Sequence, residues 1–294
     1  MPHDPAWTET FASEAKIISR AISSVRERSC GPALPSNLSV TINFHPDWSH
    51  DGLSVIERIA SDGVYRSQFE TGTSNGGMTA YLGGARWRWE QRIFEGAYDA
   101  APAELRPKYG ALNDCESPFG GAPRFGSAHF RLHPKVLERT TFCFPDSYLD
   151  PIDFGVADRL DLLALKDAHF NTLEPLDRYI KAHVHGRLEV ATALDALVLD
   201  PSHRGTIVED YALALGCQVE WHPGFRLSVD KQEDCARYRG EEVADLVLQI
   251  SRDGFLTPRD IGLAQRGAIA SPVLLKRLWH CLACLGASTA RPPA

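Results

Sequence analysis

A chain of 294 residues, 44% hydrophobic and 23% charged, has the material for a buried core and the composition of a globular protein, not of a disordered or fibrous one. A net charge of −7 and a pI near 5.9 exclude a general binder of nucleic acid or anionic membrane, while leaving room for a local basic pocket. No apolar run is long enough to span a bilayer, and the polar start MPHDPAWTETFASEAK lacks the pattern of a cleaved signal, so the expected location is cytoplasmic, or exported without a classical signal peptide.

In chain order, residues 7–28 carry Phe11, Ala15, Ile18, Ala21, Ile22 and Val25 at helical spacing and predict an amphipathic helix. CGPALPSN ends it, and LSVTINF over 38–44 alternates like a strand. A short helix is expected over 54–60. Asp62-Gly63 then turns the chain into a second strand over 64–70, with Arg66 and Gln68 on one face. The glycine- and hydroxyl-rich TGTSNGGMTAYLGG follows as a shaped loop that can approach a ligand closely. Next come an aromatic helix over 86–94 and strands over 109–112, 128–132 and 140–144. A helix over 158–168, strands over 179–190, 194–199 and 218–221, and helices over 241–250 and 272–285 complete the chain. Helices and strands mix without strict alternation, which predicts an α+β fold. No glycine fingerprint follows a strand, so a Rossmann domain is not expected. The expected division is an N-terminal helical segment (1–36), a main domain (37–240) and a C-terminal helical segment packed on it (241–294).

Seven scattered cysteines read as reduced thiols, and Cys281 and Cys284 read as helix residues with too few companions to hold zinc. The ligand-binding candidates lie in the middle of the chain. A guanidinium at Arg66 must be paired, with a carboxylate such as Glu70 or with a ligand phosphate. RPKYGALN places Tyr109 beside Gly110 as a platform for a ring, and RTTFCFPDS ends in a polar turn at Asp146 and Ser147. YIKAHVHG sets Tyr179, Lys181, His183 and His185 in one polar row; the two histidines suit a cleft lining or, with His45, His129 or His133, a metal-dependent hydrolase. G-x-S-x-G, H-E-x-x-H and Walker motifs are all missing.

The strings GVYRSQFETGTSNGG, RWRWE, FEGAYD, RPKYGALN, APRFGSAHFRL and RTTFCFPDS resemble a bacterial family known as a domain of unknown function (DUF3626-like), from about Thr41 to Leu199 and less clearly to Gly240. More loosely, Arg66, the Tyr109-Gly110 strand, the 139–147 unit and the 179–186 strand are similar to mono-ADP-ribosyltransferase toxin domains. That resemblance implies a split, twisted β core with flanking helices and NAD as substrate. The role implied is an effector or toxin that modifies a protein target. Arg66, Ser67, Thr73, Ser74, Asn75, Tyr109, Gly110, Thr141 and Ser147 would hold the dinucleotide, with Glu70, Lys181 and His183 at the reacting end. The related pattern has Glu where this chain has Lys181. A cation beside the developing positive charge works against transfer. Either another carboxylate, Glu70 or Glu189, takes that role, or the protein is a module that binds without transferring.

Overall fold

The protein was examined as a computed structural model, which describes residues 5–72 and 78–287. Helix α1 (Pro5–Arg26) leads to β1 (Val40–Phe44), a small ribbon of β2 (Ser49–His50) and β3 (Leu53–Ser54), and α2 (Val55–Asp62). Then come α3 (Gln68–Thr71), α4 (Ala85–Ile93), β4 (Lys108–Leu112), β5 (Ala128–Leu132), β6 (Thr140–Phe144) and β7 (Asp153–Val156). The next stretch holds α5 (Leu162–His169), β8 (Lys181–Val184), α6 (Val190–Ala193), β9 (Leu194–Leu199), α7 (Ile207–Ala214) and β10 (Gln218–Trp221). The C-terminal part consists of β11 (Leu227–Ser228), α8 (Gln232–Arg239), α9 (Glu241–Ile250), β12 (Phe255–Leu256), α10 (Pro258–Arg266) and α11 (Pro272–Leu285).

The fold is α+β: a mixed eight-stranded sheet, in the order β10-β9-β5-β1-β4-β8-β6-β7, with helices on both sides. Within that sheet the β9–β10 pair is parallel and the others are antiparallel. Strand alternation gives it two unlike faces. Ile42, Phe44, Phe130, Phe142, Ala182, Val184 and Leu197 form an apolar face that packs with Ile56 and Ile59 of α2, Leu162 of α5 and Val208 and Ala212 of α7. The registers put Asn43, Tyr109, Lys181, His183, Thr141 and His129 on the opposite, polar face. That face is covered as well. Ala21 and Val25 of α1 and Trp89 and Ile93 of α4 meet Cys143 and Phe154 at the β6–β7 end. Leu176 and the C-terminal residues from Phe225 to Ala283, Cys235 of α8 among them, share a third cluster.

The sheet opens in its middle. β1 and β4 pair through Val40–Leu112 and Thr41–Ala111, while β1 pairs with β5, and β4 with β8, over four positions each. Beyond Thr41 the two central strands part, leaving Asn43 and Phe44 on one wall and Lys108 and Tyr109 on the other. Gly110 stands at the fork. A Cβ there would lie 2.4 Å from the Thr41 carbonyl oxygen and 3.0 Å from Ile42 Cγ1. Gly110→Ala is therefore expected to cost about 1–3 kcal/mol as the strands shift to admit the methyl group. Urea denaturation checks it, and wild-type stability would mean that the fork tolerates the extra carbon.

Most predicted elements are present, several with the expected ends. Three differ. Residues 64–70 are not a strand: Val64 makes one isolated bridge to Glu189, and Ser67 caps α3. The strand expected over 179–190 is limited to β8, because Gly186 adopts φ +76°, a conformation that favours glycine, and its N–H donates to Leu105. The helix expected from 158 starts at Leu162, after the strand β7, which the pattern did not suggest. Among the described residues, no helix is long and apolar enough to cross a membrane.

Candidate functional site

The site begins with the inward face of α4. Arg86, Trp89, Glu90 and Ile93 follow one another at steps of three, one and three residues, which places them on one side of a helix, and all four are buried. Arg86, 1% exposed, donates from Nη1 to Ser147 Oγ at 2.9 Å and lays its guanidinium 4.1 Å from the centre of the Tyr109 ring. Its Nε is buried with no hydrogen-bond partner among the described residues. Glu90 Oε2 accepts from Arg106 Nη1 at 2.7 Å and Oε1 from the Tyr109 hydroxyl at 2.5 Å. Burial pushes the Glu90 carboxyl up, and these two partners oppose that shift.

The turn after β6 stands behind the cleft lining and meets Arg86 and Lys181 there. Asp146 Oδ1 accepts from the Tyr148 N–H at 2.8 Å, while Oδ2 accepts from Lys181 Nζ at 2.6 Å and from the Tyr179 hydroxyl at 2.5 Å. Lys181 Nζ also donates to Ser147 Oγ at 2.8 Å. Burial works to raise the Asp146 carboxyl, but the Lys181 ammonium and the hydrogen bonds outweigh it and hold the group below the usual carboxylate range. Burial lowers the Lys181 ammonium, as does Arg86, and Asp146 resists. Ser147 thus takes hydrogen bonds from two cations, Arg86 and Lys181, on neighbouring elements.

Behind this pair lie the histidines. Thr141 Oγ1 is 3.2 Å from His183 Nδ1 and 3.0 Å from His185 Nε2, and Tyr98 Oη is 2.6 Å from His185 Nδ1. Burial first, then nearby cations, pushes His185 down to about 3 and His183 well below its ordinary value, so both are neutral. Among the described residues, no group of three or more His, Cys, Asp or Glu side chains is placed to hold a metal ion.

Arg66, Tyr109, Gly110 and Lys181 all line the cleft where the sheet parts, as do Arg86, Phe125, Asn43 and Trp48. The cleft encloses about 180 Å3. Other expected site residues stand elsewhere. Ser67 Oγ accepts from the Glu70 N–H at 3.2 Å, and Glu70 accepts from the Ser67 N–H at 2.6 Å, so both are used in capping α3. Glu189, the other candidate carboxylate, is exposed and does not line the cleft. Thr141, Ser147 and His183 sit behind the lining, and Thr73, Ser74 and Asn75 lie outside the described residues. Arg66 needs neither Glu70 nor a strand: it is exposed at the rim, where Nε donates to Asp62 at 2.8 Å. Tyr109 is not a bare platform either, since Arg86 already covers its ring.

Three participants, Arg86, Glu90 and Asp146, were given no part in the site by the sequence. RWRWE carries Arg86 and Glu90 at the i, i+4 spacing, and the signal was that both share a helix face with Trp89 and Ile93, which is where charge needs a reason to be. Asp146 was read as a turn residue, which it is; its ion pair with Lys181 joins segments 35 positions apart and leaves no local pattern.

The model of the family described as "Protein of unknown function (DUF3626)" matches residues 39–172 and 164–282 of the chain. No curated protein matches it significantly.

Proposed function

This chain belongs to the DUF3626 family, and we propose that it binds a nicotinamide dinucleotide in the cleft between β1 and β4, as an ADP-ribosyltransferase-like protein. One observation carries this reading. The sheet splits, and the split is lined by Arg86, Lys181 and Tyr109, two buried cations against one aromatic ring. Guanidinium and ammonium groups suit phosphate oxygens, and the ring edges and Phe125 suit a flat base. Arg86 Nε, without a partner among the described residues, is the kind of buried donor that a ligand oxygen satisfies. At about 180 Å3 the cleft lies below the ~300–1,000 Å3 of sites that swallow a whole ligand, so it would take one end of the dinucleotide.

On this reading, transfer breaks the bond between ribose and nicotinamide and passes the ADP-ribosyl group to a nucleophile on a macromolecular target, the task of an effector or toxin. Asp146, behind the lining, offsets the Lys181 ammonium beside the cleft with its negative charge. A second reading is a binding module without transfer. It is favoured because Asp62, the carboxylate in the cleft lining, already pairs with Arg66, while Asp146 is engaged by Lys181 and Tyr179. Nicotinamide release at saturating NAD separates the two.

Arg66→Ala is expected to weaken NAD binding about ten-fold, the ~1.5 kcal/mol of one charge-assisted hydrogen bond. Stability should change by only about 0.3–0.5 kcal/mol, since the Asp62 pair is an exposed i,i+4 pair. Calorimetric titration of the folded variant checks this, and unchanged affinity would remove Arg66 from the site.

A further inference from the structure

One side of α11 is basic. Val273, Lys276, Arg277 and His280 recur at helical spacing and face Arg239, at the end of α8, and Arg124, from the 123–125 turn. With Tyr238 they line a hollow of about 500 Å3, and among the described residues no carboxylate lines it. The acids stand behind the cations. Glu174 accepts from the Tyr238 hydroxyl and from Arg239 Nη2, Asp177 pairs with Arg124 Nη1 at 2.8 Å, and Glu242 lies 3.3 Å from Arg277 Nη1. Such carboxylates fix the guanidinium groups in place, so less order is lost when a ligand arrives.

A second observation is independent of the charge count. His280 is 5% exposed, and among the described residues its buried Nε2 has no hydrogen-bond partner; Arg239 Nε is in the same condition. Leaving such an atom unsatisfied is costly. Burial first, and then Arg124, Arg239 and Lys276, pushes the His280 imidazole down to about 3. This happens in a chain whose net charge is −7.

We propose that this hollow is a second binding site, one that takes the phosphoryl group of a phosphorylated small molecule. Arginine forks match tetrahedral oxyanions. The site flanks the same turn as the cleft: Arg124 lines the hollow and Phe125 the cleft. Trp279 of α11 holds that turn through its Nε1, 3.0 Å from the Pro123 carbonyl and 3.1 Å from that of Arg124.

Titration with inorganic pyrophosphate at constant ionic strength, followed by calorimetry and by the His280 imidazole resonances, tests the assignment. The expected result is saturable binding that shifts His280. Lys276→Gln should weaken it about ten-fold, and Lys276→Glu should abolish it. A phosphoserine peptide should bind less tightly than pyrophosphate. Absence of saturable binding, undiminished affinity in the Lys276 variants or preference for the peptide would overturn the proposal. Lys276 is half-buried on a helix surface, so Lys276→Gln should fold and decides the matter if the charge reversal does not. NAD affinity of Lys276→Gln, measured in parallel, should stay at the wild-type value whatever pyrophosphate does.

Discussion

Lys181→Glu is expected to unfold the protein or to cost it more than 3 kcal/mol, and not to create a faster enzyme. Sequence resemblance alone makes this substitution attractive, because it restores the glutamate of the related pattern. The structure places Lys181 Nζ 2.6 Å from Asp146 Oδ2 in a buried setting, with Ser147 as its other acceptor. Removing one partner of a buried pair typically costs about 3–5 kcal/mol, because the other charge is stranded. A glutamate would add repulsion to that loss. The same pair sets an acid limit on stability. The folded Asp146 carboxyl titrates below its unfolded counterpart, so its contribution is complete above the unfolded value, about 3.9, and is lost as pH falls toward the folded one. Lys181→Met should show less stability at neutral pH and a shallower loss between about pH 4 and the acid end. Urea denaturation across that window measures both effects. A Lys181→Glu protein as stable as wild type would mean that Asp146 and Lys181 are not paired.

Glu90→Ala is the other substitution with a large expected cost. Glu90 is fully buried and accepts from Arg106 and Tyr109. Without it, Arg106, 5% exposed, keeps the Tyr98 carbonyl and the face of Phe69 but no counter-ion. A loss of about 3–5 kcal/mol follows. Glu90→Gln keeps the shape and two hydrogen-bonding groups, so it should lose clearly less. Equal melting of Glu90→Gln and Glu90→Ala would show that charge carries the whole effect, and wild-type melting of both would show that the cluster is not structural. The loss should reach ligand binding too, because Tyr109 and Arg86 stack beside this carboxylate.

Much of this fold was legible because alternation and helical spacing are local. β5, β6, β9, β10, α9 and α11 lie where the pattern put them. The misread stretch is instructive. GVYRSQFE alternates like a strand, yet Ser67 and Glu70 make the reciprocal hydrogen bonds of a capping box, and Gly63 and Gly72 flank the segment at positive φ. S-x-x-E was present and should have outweighed five or six residues of alternation. The site was partly legible. Tyr109, Gly110 and Lys181 all line the cleft, since neighbouring strands bring β4 and β8 together. What sequence could not supply was pairing across the chain. Nothing near Lys181 announces Asp146, and nothing near Tyr109 announces that Arg86 covers its ring. The parting of β1 from β4 is likewise a property of the sheet and not of either strand.

The central claim, that the split in the sheet is a dinucleotide site, is tested most directly by calorimetric titration of NAD into the wild-type protein and Arg86→Ala. Arg86 lines the cleft, keeps one donor unpartnered and is the cation nearest the Tyr109 ring. Saturable binding to the wild-type protein is expected, with a loss of about ten- to a hundred-fold in the folded variant, the ~1.5–3 kcal/mol of a charge-assisted contact. No binding of NAD to the wild-type protein, or equal affinity in a folded Arg86→Ala, would contradict it.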